Sequence, residues 1–319
     1  MIIPNYYRIF ASKQFIMVKV SVILPVYNVA PYLDETFASL LNQTLEEIEI
    51  IAVNDGSTDN SEAIIKKYAQ QDQRIKYYSQ VNQGQSAARN LALQHATGEY
   101  IYMMDSDDIL SDAHALETCY DYAKKHLADF IFFDGDTLLE DGAAPISWDY
   151  KRTQYVDENK RYDGEFLLNL MLDNNKHNCV VWLLMINRQY LKRIGLNFYP
   201  GIIHEDELFT TVLTLKSDNI FSLRQSFVKH RIRSASTMGK TYSKRNLDCY
   251  LTVIDELFKF QDSPIIRKFA RYTLSKVFYT GHQIPYGDKF PVFWRAFKSG
   301  YLKYIGLKPA LVFWFKRKH

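Results

Sequence analysis

From Val18 to Phe133, short β-branched or aromatic runs alternate with stretches of helical apolar spacing, and the runs end in polar, turn-forming residues. The runs cover residues 18–25, 48–53, 75–78, 100–104 and 129–133. Between them Pro31 opens a helix with Leu33, Phe37, Leu40 and Leu41 on its apolar face, and Ala63, Ile64 and Tyr68 mark a second over 61–70. Two more helices are expected over 87–96 and 113–125. A short unbroken apolar run reads as a strand buried on both faces, and apolar positions three to four residues apart read as one face of a helix. Their alternation predicts an α/β fold, a mostly parallel sheet flanked by helices. Sheets of this kind bind ligands beyond the carboxyl ends of their strands, so the chemistry is to be sought there.

The fourth run makes the strongest offer. Tyr100-Ile101-Tyr102-Met103-Met104 leads straight into Asp105-Ser106-Asp107-Asp108. In an extended segment residues i and i+2 share a face, so Asp105 and Asp107 point together. Two carboxylates on one face repel unless a cation joins them, and hard oxygen donors suit Mg²⁺ or Mn²⁺ shared with phosphate. An acidic turn, with Asp107 or Asp108 capping the next stretch of chain, is the plainer alternative. No Gly-x-Gly-x-x-Gly follows the first run, and no lysine-bearing phosphate loop is present. Dinucleotide oxidoreductases and P-loop hydrolases are thereby set aside. The strand ends carry Tyr27, Asp55 and Arg89 instead. An aromatic face, a carboxylate and a guanidinium suit a nucleoside diphosphate, whose departure a clamped metal would assist as Lewis acid.

Past about residue 140 the pattern loosens. A loop over 142–149, a helix over 165–172, an apolar strand over 180–186 containing Trp182 and a helix over 188–194 are expected. His204-Glu205-Asp206-Glu207 then places four ionisable groups before a helical pattern at Leu208, Val212 and Leu215. Residues 246–281 again have helical periodicity.

The 319 residues are 47% hydrophobic and 24% charged, enough for a sizeable core and about two domains. Cys119, Cys179 and Cys249 fit no metal or redox spacing and read as reduced core residues of a cytoplasmic protein. No secretory signal and no run of about 20 apolar residues is visible. Charge is unevenly spread: residues 221–319 hold 20 Lys/Arg against 5 Asp/Glu, a balance of +15, and the remainder stands at −12. From Lys289 to His319 there is no acidic residue, while Phe293, Trp294, Phe297, Tyr301, Tyr304, Phe313, Trp314 and Phe315 interleave with Lys and Arg. A basic, aromatic amphipathic tail suits an anionic membrane surface, on which it lies without spanning. A C-terminal helix packed on its own domain is the alternative.

Pro25-Val26-Tyr27-Asn28, Asn54-Asp55-Gly56-Ser57-Thr58-Asp59, Asn82-Gln83-Gly84-Gln85-Ser86-Ala87-Ala88-Arg89-Asn90 and Asp105-Ser106-Asp107-Asp108 resemble, in order and spacing, the family 2 glycosyltransferases of GT-A fold. The likeness covers roughly residues 18–110, with Glu205-Asp206 matching a later acidic pair. It implies inverting transfer of a sugar from a nucleotide-sugar, usually UDP-linked, with Mn²⁺ or Mg²⁺. By the same resemblance Tyr27 and Asp55 would hold the base, Arg89 would support the nucleotide, and Pro25, Asn28 and Ser106 would line the same site. Asp105 would contact ribose or metal, and Asp107 would ligate the metal. Inversion needs one carboxylate to take the acceptor hydroxyl's proton. Asp206 matches the family's base, with Glu205 beside it; helix capping is the alternative for both. His204 reads as a wall residue near the acceptor. Arg231 and Arg233 lie where a basic loop closes over the diphosphate, or else on a solvated strand edge. Trp182 falls where the family lines its acceptor pocket, or else in the core.

The expected organisation is an N-terminal extension (1–16), a nucleotide-sugar-binding half (17–110), an acceptor-binding and catalytic half (111–240) and a mainly helical, basic C-terminal region (241–319). The expected acceptor is a saccharide, lipid-linked, in bacterial surface polysaccharide synthesis. The expected location is cytoplasmic, peripheral on the inner face of the cell membrane. Three other readings fit less well. A nucleic-acid-binding protein using the basic tail leaves the clustered carboxylates unexplained, so no nucleic acid is expected as partner. A non-catalytic sugar-nucleotide scaffold conflicts with intact Asp105, Asp107 and Asp206. A nucleotidyltransferase would need a Gly-rich, basic loop after the first strand to grip a triphosphate.

Overall fold

The chain begins with strand and helix in strict alternation: β1 (Val20–Val26), α1 (Ala30–Leu41), β2 (Ile48–Asp55), α2 (Ser61–Gln71), β3 (Ile75–Gln80), α3 (Gln85–His95) and β4 (Tyr100–Met103). This is a computed structural model, and it describes residues 17–316 apart from 144, 145, 147 and 234–241. The N-terminal extension, Ser234 and the last three residues of the tail lie outside the described residues. After β4 come β5 (Ile109–Leu110), α4 (Ala115–Lys125), β6 (Phe130–Leu139), α5 (Gly164–Asp173), β7 (Leu184–Asn187), α6 (Arg188–Ile194), α7 (Glu205–Leu215) and β8 (Ile220–Ile232). Four helices follow: α8 (Lys244–Phe260), α9 (Pro264–Thr280), α10 (Tyr286–Lys298) and α11 (Leu307–Phe315).

The strands form one eight-stranded sheet in the order β3-β2-β1-β4-β7-β6-β8-β5. Pairing is parallel at β1–β2, β1–β4, β2–β3 and β6–β8, and antiparallel where β7 inserts between β4 and β6 and where β5 meets β8. The sheet is thus mixed, with its parallel half under the first motifs. β1 is buried throughout, Val20, Val22, Leu24 and Val26 facing one helical layer and Ile23 the other. Pro25 is tolerated in this central strand because β4 pairs only as far as Ile23–Met103, so the missing N–H lies past the end of the ladder. The expected apolar strand over 180–186 begins only at Leu184; Val181–Leu183 form a single 3₁₀ turn that includes Trp182. β8, at 13 residues the longest strand, carries Arg224, Gln225, Lys229, His230 and Arg231, which mask its β periodicity in the sequence.

A buried carboxylate fixes the lower edge of β1, β2 and β4. Glu49 is 2% exposed and accepts hydrogen bonds from Ser21 Oγ, Lys76 Nζ, the Thr97 backbone (2.6 Å) and hydroxyl (2.9 Å), and the Gly98 N–H (3.2 Å). Burial raises this carboxyl, but Lys76, Ser21 and Thr97 outweigh it and hold Glu49 below the usual range. A depressed carboxylate contributes stability above its unfolded pKa and loses it as pH falls through the folded value. Glu49→Gln is therefore expected to lose about 2 kcal/mol at neutral pH. In urea titrations the gap to wild type should narrow in acid; a constant gap would mean that packing, not charge, is what the variant loses.

Besides the two cores that cover the faces of the sheet, a further one joins the C-terminal helices to the sheet domain. Leu168 and Leu172 of α5 and Leu208 and Val212 of α7 pack with Leu247, Ile254, Phe269, Phe278, Val292, Ala296 and Phe313. The basic tail is therefore no loose appendage. Its residues divide between a buried set and an exposed one, Phe290, Trp294, Phe297 and Phe315 belonging to the second.

Candidate active site

Three loops at the carboxyl ends of β1, β2 and β3 are stitched to one another. Asn28 has φ 52°, and its Oδ1 accepts from the Thr58 N–H (2.8 Å) and hydroxyl (3.3 Å), tying the turn after β1 to the loop after β2. Asp55, 3% exposed, accepts from Gln80 Nε2 (2.7 Å) and the N–H groups of Gln83 and Gly84 (2.9 Å each). A carboxylate offers about four lone-pair directions, so roughly one remains for a ligand. A side chain on Gly56 (φ 69°) would stand 2.7 Å from the Asn82 nitrogen, so the two loops approach this closely only with glycine there. Tyr27, 48% exposed, stands open at the end of β1.

Beyond β4 the acidic run is held from both sides. Thr36 of α1 donates to the carbonyls of Ser106 (3.1 Å) and Asp108 (2.9 Å). β8 supplies cations from the other side. His230 Nδ1 lies 2.9 and 3.0 Å from the oxygens of the fully buried Asp108, and the Arg231 N–H donates to the same group at 2.9 Å. Burial pushes the Asp108 carboxyl up to about 7 against the pull of His230. Arg231 Nε donates to the Asp107 carbonyl (2.9 Å), and Arg233 pairs with the Asp107 carboxylate at 2.7 Å. The ring of Tyr32 lies 5.1 Å from both guanidinium carbons. Burial and Asp105 raise Asp107, while Arg233 and His230 oppose them.

Asp105 turns the other way, toward Arg89. Its Oδ1 accepts from Arg89 Nη2 and Gln85 Nε2, both at 3.0 Å. Arg89 is 2% exposed, and its Nη1 donates to Asp206 Oδ1 (2.7 Å) and Glu205 Oε1 (3.2 Å). Burial alone would lower this guanidinium, but Asp206, Asp105 and Glu205 together push it upward. One guanidinium among three carboxylates leaves excess negative charge. Burial pushes the Asp206 carboxyl up to about 8, and Glu205 and Asp105 add to the rise against Arg89. Glu205, Asp206 and Glu207 form the first turn of α7, where the helix dipole favours anions.

His204 caps that helix in the left-handed region (φ 67°), stacked on Tyr250 at 4.1 Å and 3.2 Å from the Asn246 amide. Trp182 is corrected as an acceptor-pocket residue. It is 2% exposed, its ring stacked on His230 at 4.9 Å and met edge-on by Tyr150, so no acceptor can lie against it. Arg231 and Arg233 both bind the Asp107 residue, neither being a solvated strand edge. The sequence pattern assigns nothing to His230 itself, to Tyr32 or to Gln85. Only the fold brings these beside the acidic run.

Ligand atoms of Asp105, Asp108 and His230 all lie within 4.8 Å of one another, a group that leaves out Asp107, whose carboxylate is turned to Arg233. Carboxylates with one imidazole suit Mn²⁺ in particular and accept Mg²⁺. The residues present fit such an ion.

Residues 21–195, more than half of the chain, match the family described as glycosyl transferase family 2. The glycosyltransferase GlyA of Streptococcus pneumoniae serotype 4 is 32% identical over 240 residues, which are 75% of this chain and 34% of GlyA. The chain thus spans about a third of that relative's length. TarS 1–349 of S. aureus, solved with UDP-GlcNAc, superposes with a TM-score of 0.68 at 20% identity, over 92% of this chain and 83% of that one. The mannosyltransferase PcManGT of Pyrobaculum calidifontis, in complex with GDP-Man and Mn²⁺, gives 0.58 at 15% identity, over 90% and 77%. Likeness at these identities speaks for the fold, and the fold is of GT-A type. On the match over 21–195, the chain belongs to glycosyl transferase family 2.

Proposed function

We propose that this protein is an inverting glycosyltransferase that moves a sugar from a nucleotide-sugar, a UDP-sugar, to a saccharide acceptor that is lipid-linked, in surface polysaccharide synthesis. The observation that carries this reading is the Arg89 bridge. One buried guanidinium ties Asp105, at the donor strand end, to Asp206, on the first turn of α7. A base candidate is thereby held one guanidinium away from the carboxylate that would meet the donor. The UDP-GlcNAc complex of TarS and the Mn²⁺ complex of PcManGT support the donor class and the ion.

In this reading Tyr27 and Asp55 hold the base, with Pro25, Asn28 and Ser106 shaping the wall and Arg231 and Arg233 facing the diphosphate. Asp105, with Asp108 and His230, would hold Mn²⁺ or Mg²⁺, and Asp107 would join them once its carboxylate leaves Arg233. A bound divalent cation supplies Lewis-acid neutralisation of the diphosphate. The acceptor hydroxyl attacks the anomeric carbon in line, and Asp206 takes its proton as the new C–O bond forms. The old C–O bond breaks, and its electron pair leaves with the nucleoside diphosphate. Glu205 and Arg89 orient Asp206, and His204 borders the acceptor. Hydrolysis of UDP-, GDP- and dTDP-sugars with Mn²⁺ or Mg²⁺ tests the reading; turnover of none would leave it without support.

The ion can be tested separately. Asp107→Asn keeps shape and removes charge, and is expected to weaken Mn²⁺-dependent UDP binding about 10–100-fold by calorimetry. Unchanged affinity would move the ion to Asp105, Asp108 and His230 alone.

A further inference from the structure

The outward face of α10 is aromatic. Tyr286, Phe290, Trp294 and Phe297 are 73%, 63%, 44% and 54% exposed. Their spacing of three to four residues sets them in one stripe along the helix. The rings form a shelf: Phe290 and Trp294 stack at 6.2 Å, Trp294 and Phe297 at 5.3 Å, and Lys298 Nζ lies 5.4 Å from the Trp294 ring. Val292 and Ala296, on the opposite side, are fully buried in the C-terminal core. The helix has thus satisfied its packing on one face and shows a second apolar stripe to solvent. α11 repeats the pattern, burying Phe313 while Leu307, Leu311 and Phe315 stay 77%, 50% and 77% exposed at i, i+4 and i+8.

Between the start of α10, the end of α11 and the residues entering α8 lies a cleft of about 780 Å³. Tyr286, Trp314 and Phe315 border it, together with Lys289, Lys316 and Lys244. Lys289 is 4% exposed, with Nζ 5.5 Å from the Phe313 ring and 6.0 Å from Tyr286. Among the described residues it makes no ion pair; Asp288 borders the same cleft without reaching it, and burial alone lowers the Lys289 ammonium. An ammonium out of water without an anion is costly. The chain offers no Asp or Glu from Lys289 to its last residue.

We propose that this face docks on an anionic membrane. The two stripes enter the interfacial layer, and Lys289, Lys298, Lys308 and Lys316 meet lipid phosphates, Lys289 doing so from the wall of the cleft. Exposed aromatic and leucine side chains match the headgroup–acyl boundary, and the lysines match the charge of the leaflet. Among the described residues no helix is long and apolar enough to cross a membrane, so attachment would be peripheral. Single-stranded nucleic acid would also use aromatics and lysines, but the leucines of the second stripe offer bases nothing to stack on.

Flotation of the full chain with vesicles of phosphatidylcholine alone, or with about a third phosphatidylglycerol, tests the surface and not the reaction. Wild type should float with the anionic vesicles, not the neutral ones, and more weakly in high salt. Phe290→Ser/Trp294→Ser/Phe297→Ser should reduce binding on the order of tenfold or more. Those side chains are exposed, so thermal melting and UDP affinity should stay as in wild type. Lys289→Met should lower the preference for anionic lipid. The proposal is overturned if wild type ignores lipid charge or if the triple variant floats equally well. It is also overturned if the stripe instead serves a dimer or an oligonucleotide, seen as light-scattering mass or oligonucleotide affinity lost in the triple variant.

Discussion

Asp206→Asn is expected to lower sugar transfer about 10²–10⁴-fold while leaving donor affinity nearly unchanged, the range of a positioned base removed without disturbing its site. The amide keeps the carboxylate's shape and its contact with Arg89 Nη1, now 2.7 Å from Asp206 Oδ1. It cannot accept the acceptor's proton. Arg89 keeps two anionic partners, Asp105 at 3.0 Å and Glu205 at 3.2 Å, so the guanidinium stays fixed and the donor side should not move. The measurement is a pair: kcat with donor and acceptor, and the Kd of UDP by calorimetry with Mn²⁺. A fall in UDP affinity with little change in kcat would move Asp206 to the donor site and make Glu205 the better base.

The two ends of this site differ in how far a reader of the sequence could reach them. Asp105 and Asp107 were legible as an acidic run closing an apolar strand, but their expected shared face is corrected: β4 stops at Met103, Ser106 and Asp107 lie in a turn, and Asp105 points to Arg89 while Asp107 points to Arg233. Tyr27, Asp55 and Arg89 were legible because each lies just past or soon after a run whose strand character is plain. The pairing of Arg89 with Asp206 spans 117 residues, and that of His230 with Asp108 spans 122. No local periodicity carries such information. β8 is hidden for a further reason: its ladder with β6 runs past a register shift between Phe132 and Gly135, and its polar and buried residues fall in adjacent runs instead of alternating. Trp182 shows the opposite failure. An apolar run invited a strand, yet Val181–Leu183 turn through 3₁₀ geometry and bury the indole beneath His230. The same residue type serves a binding wall or a core, and only the neighbours decide.

Removing the hub should cost more than removing the base. Arg89→Met is expected to destabilise the protein by about 3–5 kcal/mol, the usual penalty for leaving buried charge without its partner. Methionine fills much of the volume and can lie against the Phe198 ring, now 5.0 Å from the guanidinium, so packing accounts for little of the loss. What changes is charge: Asp105, Glu205 and Asp206 would face one another with nothing between them. Asp206, whose carboxyl burial already raises against the pull of Arg89, would then hold its proton more tightly still. A carboxyl whose folded pKa is raised destabilises the fold at high pH, and the penalty lifts as pH falls through that raised value. The variant should therefore gain stability on mild acidification more steeply than wild type, in urea titrations over the range where the fold stays two-state. Arg89→Lys separates charge from geometry. A single ammonium restores part of the compensation but cannot fork to Asp105 and Asp206 at once, so stability should recover further than transfer activity does. Wild-type stability in Arg89→Met would mean that the three carboxylates find other partners, and the bridge between donor and base would lose its structural footing.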